Sequence, residues 1–187
     1  MVAALYIDER GPYPALLGPE HCYGITRDAR LYDGPGPVVA HPPCGPWGKL
    51  KHLYRGAEHD CAVRALAQVR AFGGVLEHPA HSLLWRASEL PRPGEPADRF
   101  GGYSLEVCQC NWGHVARKRT WLYLVGVPRS ALTFPPERTP THWASGSRDA
   151  PRGPVPPGIK VCSAQQRRRT PPDFARWLIA LASAREP

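Results

Sequence analysis

One succession of residues constrains this chain more than any other: a strand, a stop, a helix and a second strand. Val38-Val39-Ala40-His41 is an apolar, β-branched run halted by Pro42-Pro43, with Cys44 just past its end. Gly45-Pro46-Trp47-Gly48 and the basic Lys49, Lys51 and His52 follow as a loop. From Asp60 the pattern changes, and Ala62, Val63, Leu66, Val69 and Phe72 recur at helical spacing. Asp60 stands where a helix is capped and Gly73-Gly74 where it ends. Val75-Leu76-Glu77 then reads as a strand stopped by His78-Pro79. Strand, crossover helix, strand is a βαβ unit, whose two strands run parallel. If they are neighbours, Cys44 and Glu77 emerge at one carboxyl edge, where open α/β sheets bind ligands. Taken alone, Pro-Pro-Cys reads first as a structural cysteine in a turn. A carboxylate at the same edge makes it a chemical site.

The flanking segments complete an α/β pattern. Ala3–Ile7 reads as a buried strand, followed by a Gly11-Pro12 turn and a brief helical piece at residues 15–18. Residues 19–36 are polar and glycine-rich and predict no strand. Residues 86–104 predict a loop, Leu105–Asn111 and Thr120–Val125 two strands, and Phe174–Ala182 an amphipathic helix. Residues 127–165 are proline-rich and suit a surface flap within a single domain spanning 1–187. The expected architecture is three-layered: a mostly parallel sheet with flanking helices.

Charge narrows the partners. The chain carries a formal net charge of +8, so a polyanion is expected, nucleic acid first. No apolar run approaches the roughly 20 residues that cross a bilayer, so no membrane partner is expected. The start lacks the pattern of a secretory signal, which predicts a cytoplasmic protein. Six cysteines in such a setting do not read as a disulfide framework.

Four segments, in order, resemble the DNA (cytosine-5) methyltransferase superfamily. Pro42-Pro43-Cys44-Gly45-Pro46-Trp47-Gly48 is similar to its Pro-Pro-Cys loop, and Glu77-His78-Pro79 to its Glu-Asn-Val/Pro strand end. Arg117-Lys118-Arg119 resembles its Gln-x-Arg-x-Arg segment, with Val115 in the glutamine position. Thr170-Pro171-Pro172 and the last helix resemble its C-terminal segment. Small phage-borne proteins of this type are the nearest likeness, which would put the chain in a host-cell cytoplasm. The resemblance implies a shortened Rossmann-like methyltransferase fold that modifies DNA. It implies Cys44 as nucleophile, Glu77 as general acid on the base, and Arg119 or Arg117 as the base-orienting cation that depresses the thiol. It also implies S-adenosylmethionine, beside Asp8, Gly11 and Pro43, although Tyr6–Gly11 keeps one glycine where the family has several. Trp47, Lys49, Lys51, Lys118, Arg167, Arg168 and Arg169 are the nucleic-acid-binding candidates.

Three alternatives stand beside this reading. The Cys44 adduct also serves a different one-carbon donor, or deamination of the base. A catalytically silent relative would only hold nucleic acid. Cys108, Cys110 and His114 could supply zinc ligands, with His41, Cys61 or Cys162 closing the site, although the paired short spacings of zinc ribbons are absent and no metal is expected.

Overall fold

A computed structural model describes residues 1–48, 51–56, 58, 60–143 and 158–185. Six strands form one sheet: β1 (Ala3–Leu5), β2 (Cys22–Tyr23), β3 (Val38–Ala40), β4 (Gly74–Pro79), β5 (Tyr103–Cys108) and β6 (Arg119–Val125). Their order is β2-β1-β3-β4-β6-β5. The first four are parallel, and β6 runs antiparallel between β4 and β5. The fold is therefore α/β with a mostly parallel sheet, compatible with a Rossmann-like arrangement.

The helices are α1 (Tyr13–Leu17), α2 (Cys61–Phe72), α3 (Leu83–Ala87), α4 (Ala164–Arg168) and α5 (Pro172–Ser183). Strand residues alternate between two cores. Ala3, Leu5, Val38, Ala40, Leu76, Trp121 and Tyr123 meet α2 and α3 on one face. Ala4, Val39, Val75, Leu122 and Leu124 meet α1 and α5 on the other. β1 and β3 are buried along their whole length, as central parallel strands sandwiched by helices must be. Gly74 is required where β4 starts: its φ is +112°, and a Cβ there would stand 2.0 Å from the Val38 carbonyl oxygen.

Several boundaries differ from the expectation. Cys22–Tyr23 is an edge strand of two residues inside the segment expected to hold none; so short a piece has no periodicity to read. Strand β5 stops at Cys108, and Gln109–Trp112 turns as a 3-10 helix instead of continuing the strand. Helix α3 occupies the start of the expected loop, capped by the Ser82 hydroxyl, which accepts from the Leu84 N–H. Asp60 stands at the α2 N-cap, but its carboxylate pairs with Arg30 at 3.4 Å instead of capping. In the proline-rich segment, His142–Trp143 pairs in parallel with Lys160–Val161, and residues 144–157 lie outside the described residues. Among the described residues, no helix is long and apolar enough to cross a membrane.

Candidate active site

Chain order reverses at β1, which has β2 on one side and β3 on the other. The loops after β1 and β3 therefore diverge at the carboxyl ends of the strands, the place where open α/β sheets bind ligands. Beyond β3, the His41 N–H donates to the Leu5 carbonyl at 3.0 Å, carrying the pairing one residue further. Pro42 and Pro43 have no N–H to continue it. Cys44 then heads the 3-10 turn Gly45–Trp47, its carbonyl accepting from the Trp47 N–H at 3.1 Å, and its thiol is exposed.

Glu77 comes from the neighbouring strand β4, one position beyond the Ala40–Leu76 pair. It is 8 % exposed and belongs to the α1/α5 face by alternation. A hydrogen-bonded chain runs through it. The Tyr13 hydroxyl lies 2.6 Å from His41 Nε2, and His41 Nδ1 lies 2.9 Å from Glu77 Oε2. On the other side, Gln109 Nε2 donates to Glu77 Oε1 at 2.9 Å and to Thr120 Oγ1 at 2.9 Å. One assignment of protons satisfies every contact: the tyrosine donates to Nε2, the imidazole Nδ1–H donates to the carboxylate, and the amide donates from the opposite side.

The electrostatics agree with that assignment. Burial would raise the Glu77 carboxyl, but the His41 hydrogen bond and the charge of Lys118 overcome it and hold it down at about 2. Burial pushes the Tyr13 hydroxyl well above its ordinary 10.0, so it keeps its proton. The Cys44 thiol opens to water on one side but is otherwise surrounded by protein. Burial and then the Glu77 charge raise it above 9.0, against the opposing pull of Lys118 and Arg168. The resting pair is thus a thiol beside a carboxylate.

His78 points to the opposite sheet face, its Nδ1 2.7 Å from Ser82 Oγ. Burial holds it at about 4 and therefore neutral, and its Nε2 is buried without a hydrogen-bond partner among the described residues.

The expected cations are sorted by strand alternation. Arg119 shares a face with Trp121, away from Glu77, and its Nε binds Glu106 Oε1 at 2.6 Å. Trp121 Nε1 donates to the other Glu106 oxygen at 2.8 Å. Arg117 is exposed, with its charge felt at Cys110. The charge that acts on both Cys44 and Glu77 is that of Lys118. Lys118 Nζ also donates to the Arg169 carbonyl at 3.3 Å, tying the end of α4 to the site. Arg168 acts on Cys44 from the same helix, and Arg167 lies on it as well. Lys51 is exposed in a 3-10 turn, Trp47 is half-buried against the α2 core, and Lys49 lies outside the described residues.

The loop after β1 closes on itself. Asp8 accepts from the Arg10 N–H and Nε, the Gly11 N–H donates to the Asp8 carbonyl, and Glu9 accepts from Thr26. After β2, Asp28 accepts from Arg30. Each of these carboxylates is thus held by the loops themselves, in the region where the resemblance would put S-adenosylmethionine.

Among the residues of the zinc alternative, His114 Nδ1 lies 2.8 Å from the Ala116 carbonyl and 3.1 Å from the Ala116 nitrogen, and Nε2 lies 3.1 Å from the Gln166 carbonyl. No group of three or more metal-ligating side chains occurs among the described residues.

Sequence reasoning missed Tyr13 and Gln109 as site residues, and weighed His41 only as a spare zinc ligand. His41 did carry a local signal, a polar side chain directly after a wholly buried strand. Gln109 carried none, because it reaches Glu77 across 32 positions of sequence. The chain matches no family model, no curated protein and no solved structure.

Proposed function

We propose that the protein is a nucleic-acid pyrimidine-modifying enzyme, a shortened relative of the cytosine-5 methyltransferases, which attacks carbon 6 of the base with Cys44. The carrying observation is the exposed Cys44 thiol after β3 and, on the neighbouring parallel strand β4, a buried Glu77 held from both sides by His41 and Gln109. A pyrimidine ring is electron-poor at carbon 5, and thiolate addition at carbon 6 turns that carbon into a nucleophile. The addition needs a deprotonated sulfur and a proton on ring nitrogen 3. The resting pair holds the one proton required, on sulfur, and its transfer by way of Glu77 to the ring supplies both changes at once. His41, Tyr13 and Gln109 are positioning residues in this scheme, fixing the Glu77 oxygens. Lys118 and Arg168 supply positive charge beside Cys44, which suits a phosphate-bearing substrate. A base within a duplex must be flipped out to reach the thiol.

Addition at carbon 6 is common to methylation, other one-carbon transfers and deamination, so the test is independent of the electrophile. In the adduct, carbon 5 takes a proton from water and loses its own hydrogen, and then the carbon–sulfur bond breaks to restore base and thiol. Oligonucleotides tritiated at carbon 5 of cytosine should release label into water with the wild-type protein and not with Cys44→Ser. Absence of release from single-stranded and duplex DNA and from RNA would refute the reading. Release from free nucleotides alone would remove nucleic acid as the substrate.

A further inference from the structure

The turn that carries Gln109 holds a second pair of sulfurs outside this chemistry. Cys108 ends β5 and Cys110 lies in the following 3-10 turn, with their Sγ atoms 2.9 Å apart. A disulfide needs about 2.05 Å, so closure requires under about 1 Å of further approach. Cys108 is half-buried and reachable, whereas Cys110 is buried. Gln109 between them is anchored through its backbone. Its N–H donates to the Lys118 carbonyl at 3.0 Å and its carbonyl accepts from the His114 N–H at 3.1 Å.

We infer that Cys108 and Cys110 form a thiol–disulfide exchange site that reacts with small-molecule disulfides, with Cys108 the attacking and Cys110 the resolving sulfur. The Cys108 thiolate attacks a disulfide RS–SR, forming a mixed disulfide and releasing one RS⁻, which takes a proton. Cys110 then attacks the Cys108 sulfur and releases the second RS⁻. Two protein thiols are oxidised and one external disulfide is reduced to two thiols. Because the backbone of Gln109 is held on both sides, the movement falls on the cysteine side chains, and the amide stays on Glu77. A ring spanning a single intervening residue is strained, and strained disulfides are the readily reduced ones. Burial and the neighbouring Cys108 push the Cys110 thiol up to about 12, so the resolving step accelerates as the pH rises.

The test treats reduced full-length protein with oxidised glutathione, quenches with acid, alkylates, and weighs the peptide containing both cysteines. The expected product is that peptide unalkylated and two hydrogens lighter, returning to two alkylatable thiols with dithiothreitol. In Cys110→Ser the reaction should stall with glutathione on Cys108. Two thiols that remain alkylatable in the wild type, or pairing of either with another cysteine, would overturn the inference. The wild-type measurement needs no variant to fold, and it is read without reference to base chemistry at Cys44.

Discussion

Replacing His41 by leucine should cost stability in a way that depends on pH, because His41 is the group that keeps Glu77 charged. A fall of the carboxyl from its ordinary 4.5 to about 2 corresponds to about 3 kcal/mol in favour of the folded, ionised form. The side chain is nearly sealed from water, so screening removes little of it. Since the folded value lies below the unfolded one, this stabilisation is complete above about pH 4.5 and is lost as the pH falls through about 2. Without the His41 donor, burial dominates and the carboxyl moves upward. The variant should therefore lose about 4 kcal/mol at pH 7, about 3 from the carboxyl and about 1 from the Tyr13 hydroxyl left without its acceptor, shrinking to about 2 kcal/mol near pH 3 as the carboxyl part falls to about 1. Buried His78, held at about 4 chiefly by burial, weakens both proteins between about pH 6.5 and 4, so the comparison is read at pH 7 and pH 3, outside that window. Asparagine at position 41, whose amide N–H reaches the place of Nδ1–H, should recover part of the loss. Urea denaturation at a series of pH values measures all three proteins. An equal loss at pH 7 and pH 3 would refute the claim that His41 acts through the charge of Glu77.

The remaining predictions probe the thiol and the two cores. Glu77→Gln removes the negative charge that raises Cys44, so iodoacetamide should alkylate Cys44 roughly two- to fivefold faster at pH 8; Lys118→Met should slow it. An unchanged rate in both variants would separate the sulfur from the carboxylate. Phe174 is fully buried with its ring centroid 5.3 Å from that of Trp112, and Phe174→Ala should cost about 3–5 kcal/mol in urea denaturation. Gly74→Ala combines a positive φ with contact on the Val38 carbonyl, and a loss below about 1 kcal/mol would contradict the required close approach of β3 and β4.

Much of the fold was legible because burial leaves a local trace. Val38-Val39-Ala40, the helix from Cys61 and Val75-Leu76-Glu77 announced themselves by periodicity and by their stops, and their parallel pairing followed from the crossover. That put Cys44 and Glu77 at one sheet edge before any coordinate was considered. Cys22–Tyr23 escaped, since two edge residues have no period, and so did the turn at Gln109, since alternation through residue 107 gave no sign of where β5 would stop.

The site divides along the same line. Sequence alone determined which residue types are present and which strand ends carry them: a cysteine after two prolines, a glutamate before a histidine and proline, and a basic run before β6. Only the tertiary structure decided which of these face one another. Side chains on a strand alternate, so Lys118 and Arg119, adjacent in sequence, serve different places: Lys118 acts on Cys44 and Glu77, while Arg119 turns to Glu106. Protonation likewise depends on neighbours brought from afar. Tyr13, His41 and Gln109 fix the charge on Glu77 from three separate stretches of chain, and no local pattern encodes the distances on which that charge depends.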